Sequence, residues 1–163
     1  MTRSSQRSRN STARSSRDPR VDLLVPFTKH RRRPSAAFPG LDQEPFLAPR
    51  LDIIVVSQVT RIHLFPLLDT GAGVTFFGTE DAEALGIDWR NCPTIDIAGM
   101  GGMFKGYAAD VKLVIPAASY AWPARFVFSP AIDSSPYPVL GYNGFFEHFE
   151  VRFKGPRFSV FLK

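Results

Sequence analysis

The chain has 163 residues, of which 44% are hydrophobic and 13% aromatic, enough for one globular domain with a real core and too little for two ordinary ones. Its formal charge of +5 is unevenly placed: residues 1–50 carry eleven Lys or Arg against four Asp or Glu, whereas residues 51–163 carry nine against eleven. The basic balance belongs to an N-terminal leader and argues against nucleic acid as the partner of the domain.

Cys92, the single cysteine, excludes an intrachain disulfide and points to a reducing compartment. No base stands near it in the sequence, so it reads as an ordinary half-buried thiol rather than a nucleophile. No run of 18 apolar residues exists, and the first 20 residues lack a signal-peptide core, which predicts a cytoplasmic chain with no membrane span. His30, His63 and His148 are too scattered to suggest a metal site, and no cofactor is expected.

In chain order, residues 1–20 hold six Arg and eight Ser or Thr with one acid, Asp18. A segment so poor in apolar side chains cannot offset the entropy of ordering and is expected to be disordered. The same composition resembles a mitochondrial presequence, an alternative address for a eukaryotic chain. His30-Arg31-Arg32-Arg33-Pro34 reads as a solvated linker or, alternatively, as a phosphate contact. Pro34, Pro39, Pro45 and Pro49 keep the approach extended. The division expected is a Ser-, Arg- and Pro-rich leader over 1–44 and one domain over 45–163.

Leu51 to Val56 is short and β-branched, as a strand is. Ile62 to Leu68 is the next strand candidate, with Pro66 tolerable at an edge or bulge, and its end presents Asp69. Val74 to Phe77 is another strand. A helix is predicted over Thr79–Leu85, with Thr79 as N-cap, acids in the first turn and Gly86 as its stop. Thr94 to Ala98 and Tyr107 to Ile115 alternate polar and apolar residues, and the glycine-rich stretch Gly99–Gly106 joins them as a hairpin. Ala124 to Phe128 and Phe158 to Leu162 are further strands, and Tyr142 to Glu150 reads as a short helix. The result is mainly β.

Three features stand in order: an apolar strand ending in Asp69-Thr70-Gly71-Ala72, a glycine-rich hairpin some 30 residues later, and Pro138-Val139-Leu140-Gly141 before the last elements. Together they resemble the retropepsin-like aspartic proteases, single-domain enzymes that work as homodimers. The resemblance covers about residues 45–163. It implies a closed retropepsin-like β-barrel with one or two short helices and a flap hairpin. It also implies hydrolysis of an extended peptide or protein substrate by a water activated between two Asp69 carboxylates, one from each protomer. A second carboxyl is needed because one group must take a proton from the water while another gives one to the carbonyl oxygen; activity at acidic to mildly acidic pH follows.

The resemblance carries roles over position by position. Asp69 matches the catalytic aspartate, and Thr70 the threonine that hydrogen-bonds across the dimer axis. Gly71 matches the glycine beside substrate, and Ala72 the small residue completing the loop. Gly99, Met100, Gly101, Gly102 and Met103 fall in the flap. Val139, Leu140 and Gly141 match the apolar motif behind the loop. Strands near 51–56 and 158–162 are the dimer-interface candidates by the same analogy.

Two positions depart from the pattern. Family members commonly carry an Asp two residues after Gly71 and an Arg directly after Gly141, which form an ion pair; this chain has Gly73 and Tyr142. The alternative to proteolysis is a non-catalytic domain of the same fold that binds a peptide or protein and is tethered by the basic leader. Without the resemblance, Asp69 reads as a turn-capping residue in an ordinary β domain.

Overall fold

A computed structural model describes residues 23–30, 46–99, 102–133, 135 and 137–163; the fold is stated for these. Strand β1 (Leu23–Pro26) precedes β2 (Thr28–His30), β3 (Phe46–Ala48), β4 (Ile53–Val56), β5 (Arg61–Leu64), β6 (Leu67–Leu68) and β7 (Phe76–Phe77). After helix α1 (Thr79–Ala84) come β8 (Thr94–Gly99), β9 (Gly102–Ile115), β10 (Tyr120–Phe128), β11 (Val139–Leu140), β12 (Phe149–Lys154) and β13 (Arg157–Leu162).

The main sheet runs β5-β4-β9-β10-β7-β11-β6, with β8 paired beside β9. The 14-residue β9 organises it: β10 covers one edge over Tyr107–Ile115, and β8 and then β4 cover the other. No pairing of β5 with β6 joins the two ends among the described residues. No closed barrel is detected among these residues, although the segment entering β4 bridges β6, Arg50 opposite Leu67. A separate three-stranded antiparallel sheet has the order β1-β13-β12, and β2 pairs with β3.

The sequence dictates most strands through alternation. Ile53 and Val55 of β4 are buried while Ile54 and Val56 are half-buried, and Val111, Leu113 and Ile115 of β9 point into the same core. That core is aromatic. Phe77 stacks on Phe126 with ring centres 4.7 Å apart, Phe145 on Phe149 at 5.0 Å, and Trp122 meets Phe149 edge-on at 4.6 Å. Each fully buried Phe or Leu contributes about 2 kcal/mol, and the buried Trp122 indole N–H is satisfied by the Gly144 carbonyl at 3.2 Å.

Several expectations are corrected. Pro66 splits the predicted strand over 62–68 into β5 and β6, because it cannot donate to a ladder. No helix follows Gly141: residues 142–148 make a chain of turns, with Phe146 N donating to Gly141 O and Glu147 N to Tyr142 O. Helix α1 forms, but Gly78 is its N-cap, and the Thr79 hydroxyl and N–H both donate to the Asp133 carboxylate. Residues 23–30, assigned to the leader, form β1 and β2; Leu23, Val25 and Phe27 pack on the core. The rest of the leader lies outside the described residues. Among the described residues no helix is long and apolar enough to cross a membrane.

Candidate active site

β6 and β11 lie parallel, Leu67 beside Val139 and Leu68 beside Leu140, with both Leu68 and Leu140 buried. This apolar pair anchors the strand end from which Asp69 emerges, half-buried. Asp69 N–H donates to Leu140 O at 3.1 Å, and Asp69 O accepts from Ala72 N at 3.1 Å. The carboxylate is oriented as well, since its Oδ1 accepts from Gly71 N at 2.9 Å. Such a side-chain-to-backbone turn is what Asp forms readily. Oδ2 has no hydrogen-bond partner within the chain among the described residues. A Cβ on residue 71 would lie 3.2 Å from Asp69 Oδ1, so the carboxylate would have to give by a few tenths of an ångström.

Past the turn the chain is crossed from behind. Tyr142 N donates to Ala72 O at 2.8 Å, Asn143 N to Gly73 O at 3.1 Å, and Thr75 N to Asn143 O at 3.0 Å. Gly141 N donates to the buried hydroxyl of Thr75 at 3.1 Å. The crossing is so close that a Cβ at 141 would overlap the Val74 carbonyl and lie 2.8 Å from Ala72 O. Glycine is required at 141 by contact with backbone, which cannot move aside as a side chain can.

Above this floor the β8–β9 hairpin forms a roof, Gly99 opposite Gly102. Between them is a cleft of about 760 Å³, lined by Asp69 and the 71–74 backbone below, by Phe76, and by Ile95, Ile97 and Phe104 of the hairpin. Phe104 reaches Phe76, ring centres 5.8 Å apart. The walls are apolar, and the second carboxylate of the lining, Asp96, stands opposite Lys105 in the hairpin register. Among the described residues no three His, Cys, Asp or Glu side chains converge as metal ligands would. Cys92 donates to Asp88 O, and burial followed by the nearby Asp88 charge pushes its thiol up, away from thiolate.

The structure thus gathers Asp69, Gly71, Ala72 and Gly99 around one cleft, and Val139, Leu140 and Gly141 behind it. Thr70 and Gly73 are exposed on the turn. Met103 is 69% exposed and does not line the cleft, and Met100 and Gly101 lie outside the described residues. Three features were missed by sequence reasoning. Ile95 and Ile97 line the cleft, and their two-residue spacing opposite Phe104 and Gly106 was the available signal. Thr75, read only as a strand residue, holds the Gly141 amide. Asp133, 54 residues from Thr79, caps α1, and nothing local marks it.

Neither a protein-family model nor a curated protein sequence matches the chain. Solved structures do. A retropepsin-like aspartic protease from Rickettsia conorii aligns over 85% of this chain and 97% of its own, with a TM-score of 0.56 at 15% identity. The EIAV protease complexed with the inhibitor HBY-793 aligns over 58% of this chain and 81% of its own, with a TM-score of 0.46 at 21% identity. The strand order, the β11 crossing behind the Asp69 turn and the Rickettsia likeness give one conclusion: the chain has a retropepsin-like fold.

Proposed function

We propose that the chain is an aspartic endopeptidase whose active form is a homodimer, with Asp69 of each copy at the two-fold axis. The observation that carries this reading is the Asp69 carboxylate itself. One of its oxygens is fixed by the Gly71 amide, the other is open, and it sits on the floor of a cleft with apolar walls. A peptide lies extended between the turn and the hairpin, which serves as a flap.

In the reaction, two carboxyls at hydrogen-bond range share one proton, because like charges so close cannot both persist. The ionised one accepts a proton from water as the water oxygen attacks the peptide carbonyl carbon. The protonated one donates to the carbonyl oxygen. The tetrahedral diol then collapses: the ionised carboxylate takes a proton from a diol hydroxyl as the C–N bond breaks, the nitrogen takes a proton from the other carboxyl, and acid and amine leave with the pair again sharing one proton. Closure of the hairpin excludes bulk water and strengthens these interactions.

Asp69→Asn tests the reading. Cleavage of a mixed peptide library between pH 4 and 7 should fall by about 10³-fold or more, while circular dichroism and sedimentation stay as in wild type. Retained cleavage would refute a role for Asp69 in the chemistry.

A further inference from the structure

The three-stranded sheet β1-β13-β12 contributes no residue to the cleft lining, and its two faces are unlike. Alternation turns Val25, Phe158 and Val160 toward the core and leaves Leu24, Arg152, Lys154 and Arg157 exposed on the outer face. The central strand, β13, is paired on both edges, so the sheet's centre can meet a partner only through this face.

The outer face is basic. Lys154 stands directly opposite Arg157 across the turn at Gly155 and Pro156, and among the described residues neither has a carboxylate partner. Like charges placed so cost stability, which a bound anion would offset. Arg152, next along the same face of β12, pairs with Glu150 at 2.7 Å, the one acid on this face. Phe27 N–H is held by Pro156 O at 2.8 Å, which brings the exposed Lys29 of β2 to the same end of the sheet. The sequence joined to these strands has the same sign: residues 1–20 hold six Arg and one acid ahead of β1, and Arg31, Arg32 and Arg33 follow β2 directly.

The apolar groups beside these cations select among anionic partners. Leu24 is 58% exposed and, with Pro26, lies on the strand beside Ser159 and Arg157; both are aliphatic. The aromatic rings of the sheet are occupied, since the Arg152 guanidinium lies 4.8 Å from the centre of Phe161 and Phe27 meets Phe153 edge-on at 6.1 Å. Single-stranded nucleic acid needs open rings on which bases stack, and a three-stranded face is wider than the β-ribbon that a major groove admits. A second copy would set the same cations against each other. An anionic lipid surface is flat, attracts Lys and Arg, and takes an exposed aliphatic side chain at its headgroup boundary.

We propose that this sheet docks the chain peripherally on an anionic lipid bilayer, with Lys154 and Arg157 at the lipid phosphates and Leu24 at the headgroup boundary. The docking face is separate from the cleft and does not depend on the proteolytic reading.

Co-sedimentation of the full chain with lipid vesicles tests this without any substrate. At about 0.15 M salt the chain should partition onto phosphatidylcholine vesicles that contain phosphatidylserine and not onto phosphatidylcholine alone. The double variant Lys154→Ala, Arg157→Ala should lower the partition coefficient about 30-fold and Leu24→Ser about tenfold, while Arg157→Lys, which keeps the charge, should stay within about threefold of wild type. Arg61→Ala with Lys112→Ala removes the same net charge from exposed positions of the main sheet and should also stay within about threefold. An equal loss in the two double variants would assign the binding to net charge and overturn the docking face, as would equal partition onto neutral vesicles or none onto anionic ones. Release from the vesicles by an equal phosphate concentration of duplex or single-stranded DNA would overturn the lipid in favour of nucleic acid. Peptide cleavage by Lys154→Ala, Arg157→Ala without vesicles should equal that of wild type, so failure of the docking and failure of the proteolytic reading are seen separately.

Discussion

The floor and the roof of the cleft are held by different physics. The floor is a backbone device: the Asp69 turn is closed on itself, crossed by residues 141–143 through main-chain hydrogen bonds, and completed by one buried hydroxyl. The roof is a side-chain device. The β8–β9 hairpin pairs with itself, rests its base on Val127, where Gly106 permits close approach, and touches the floor through Phe104 on Phe76. In the proposed reaction a carboxylate meets its mate within hydrogen-bond range, which calls for the first kind of support, and a hairpin admits a peptide, which calls for the second.

The contrast is broken most severely at Gly141. Gly141→Ala forces a methyl group into the Val74 and Ala72 carbonyls, and chemical denaturation should register a loss of about 4 kcal/mol or failure to fold. A loss under about 1 kcal/mol would mean that the crossing can relax, and that the floor is not rigid. Thr75→Val keeps the volume but strands the buried Gly141 amide, which should cost about 2 kcal/mol. Phe104→Ala acts on the roof. It should accelerate amide exchange along residues 94–106 by about tenfold while changing global stability by less than Thr75→Val does. Equal protection in the variant would show that Phe76 and Phe104 do not hold the hairpin down.

The smallest effect expected lies away from both. His30 in β2 hydrogen-bonds the Tyr137 hydroxyl through Nδ1 at 2.7 Å. Burial first, and then the Arg50 guanidinium that lies over the Tyr137 ring, keep its imidazole below the ordinary value. The folded chain therefore binds fewer protons at this site than the unfolded chain does. The stability His30 contributes is complete above about pH 6.5 and declines as pH falls through the lowered value. Melting temperature should be lower at pH 5 than at pH 7, with the difference narrowed in His30→Gln; an identical difference in both proteins would clear His30.

The elements around the floor were readable because they obey local rules. Apolar runs ending in Asp and Gly specify a strand and its turn, β-branched residues specify β4, alternation specifies β8 and β9, and the acids before Gly86 specify α1. What escaped was non-local. Asp133 displaces Thr79 as the helix-capping side chain from 54 residues away, and turns over 142–148 stand where a helix was expected, with Asn143 held in a bridge to Val74 and Gly144 at a φ of 93°, outside the helical region. The leader's composition hid Leu23, Val25 and Phe27, which gain burial only when β13 arrives beside them. Within the site, Asp69 and Gly141 were legible from motif and order, whereas Thr75, Ile95 and Ile97 depended on which strand lay opposite.

The central claim is that two copies of Asp69 make one active site, and subunit mixing tests it most directly. Wild type and Asp69→Asn protein are combined in equal amounts, allowed to exchange, and assayed at fixed total concentration above the dimer dissociation constant. If each site needs both carboxyls, only wild-type homodimers cleave, and activity should fall to about a quarter of that of pure wild type. Activity at about half would mean that one Asp69 suffices within one chain, and the account would be wrong.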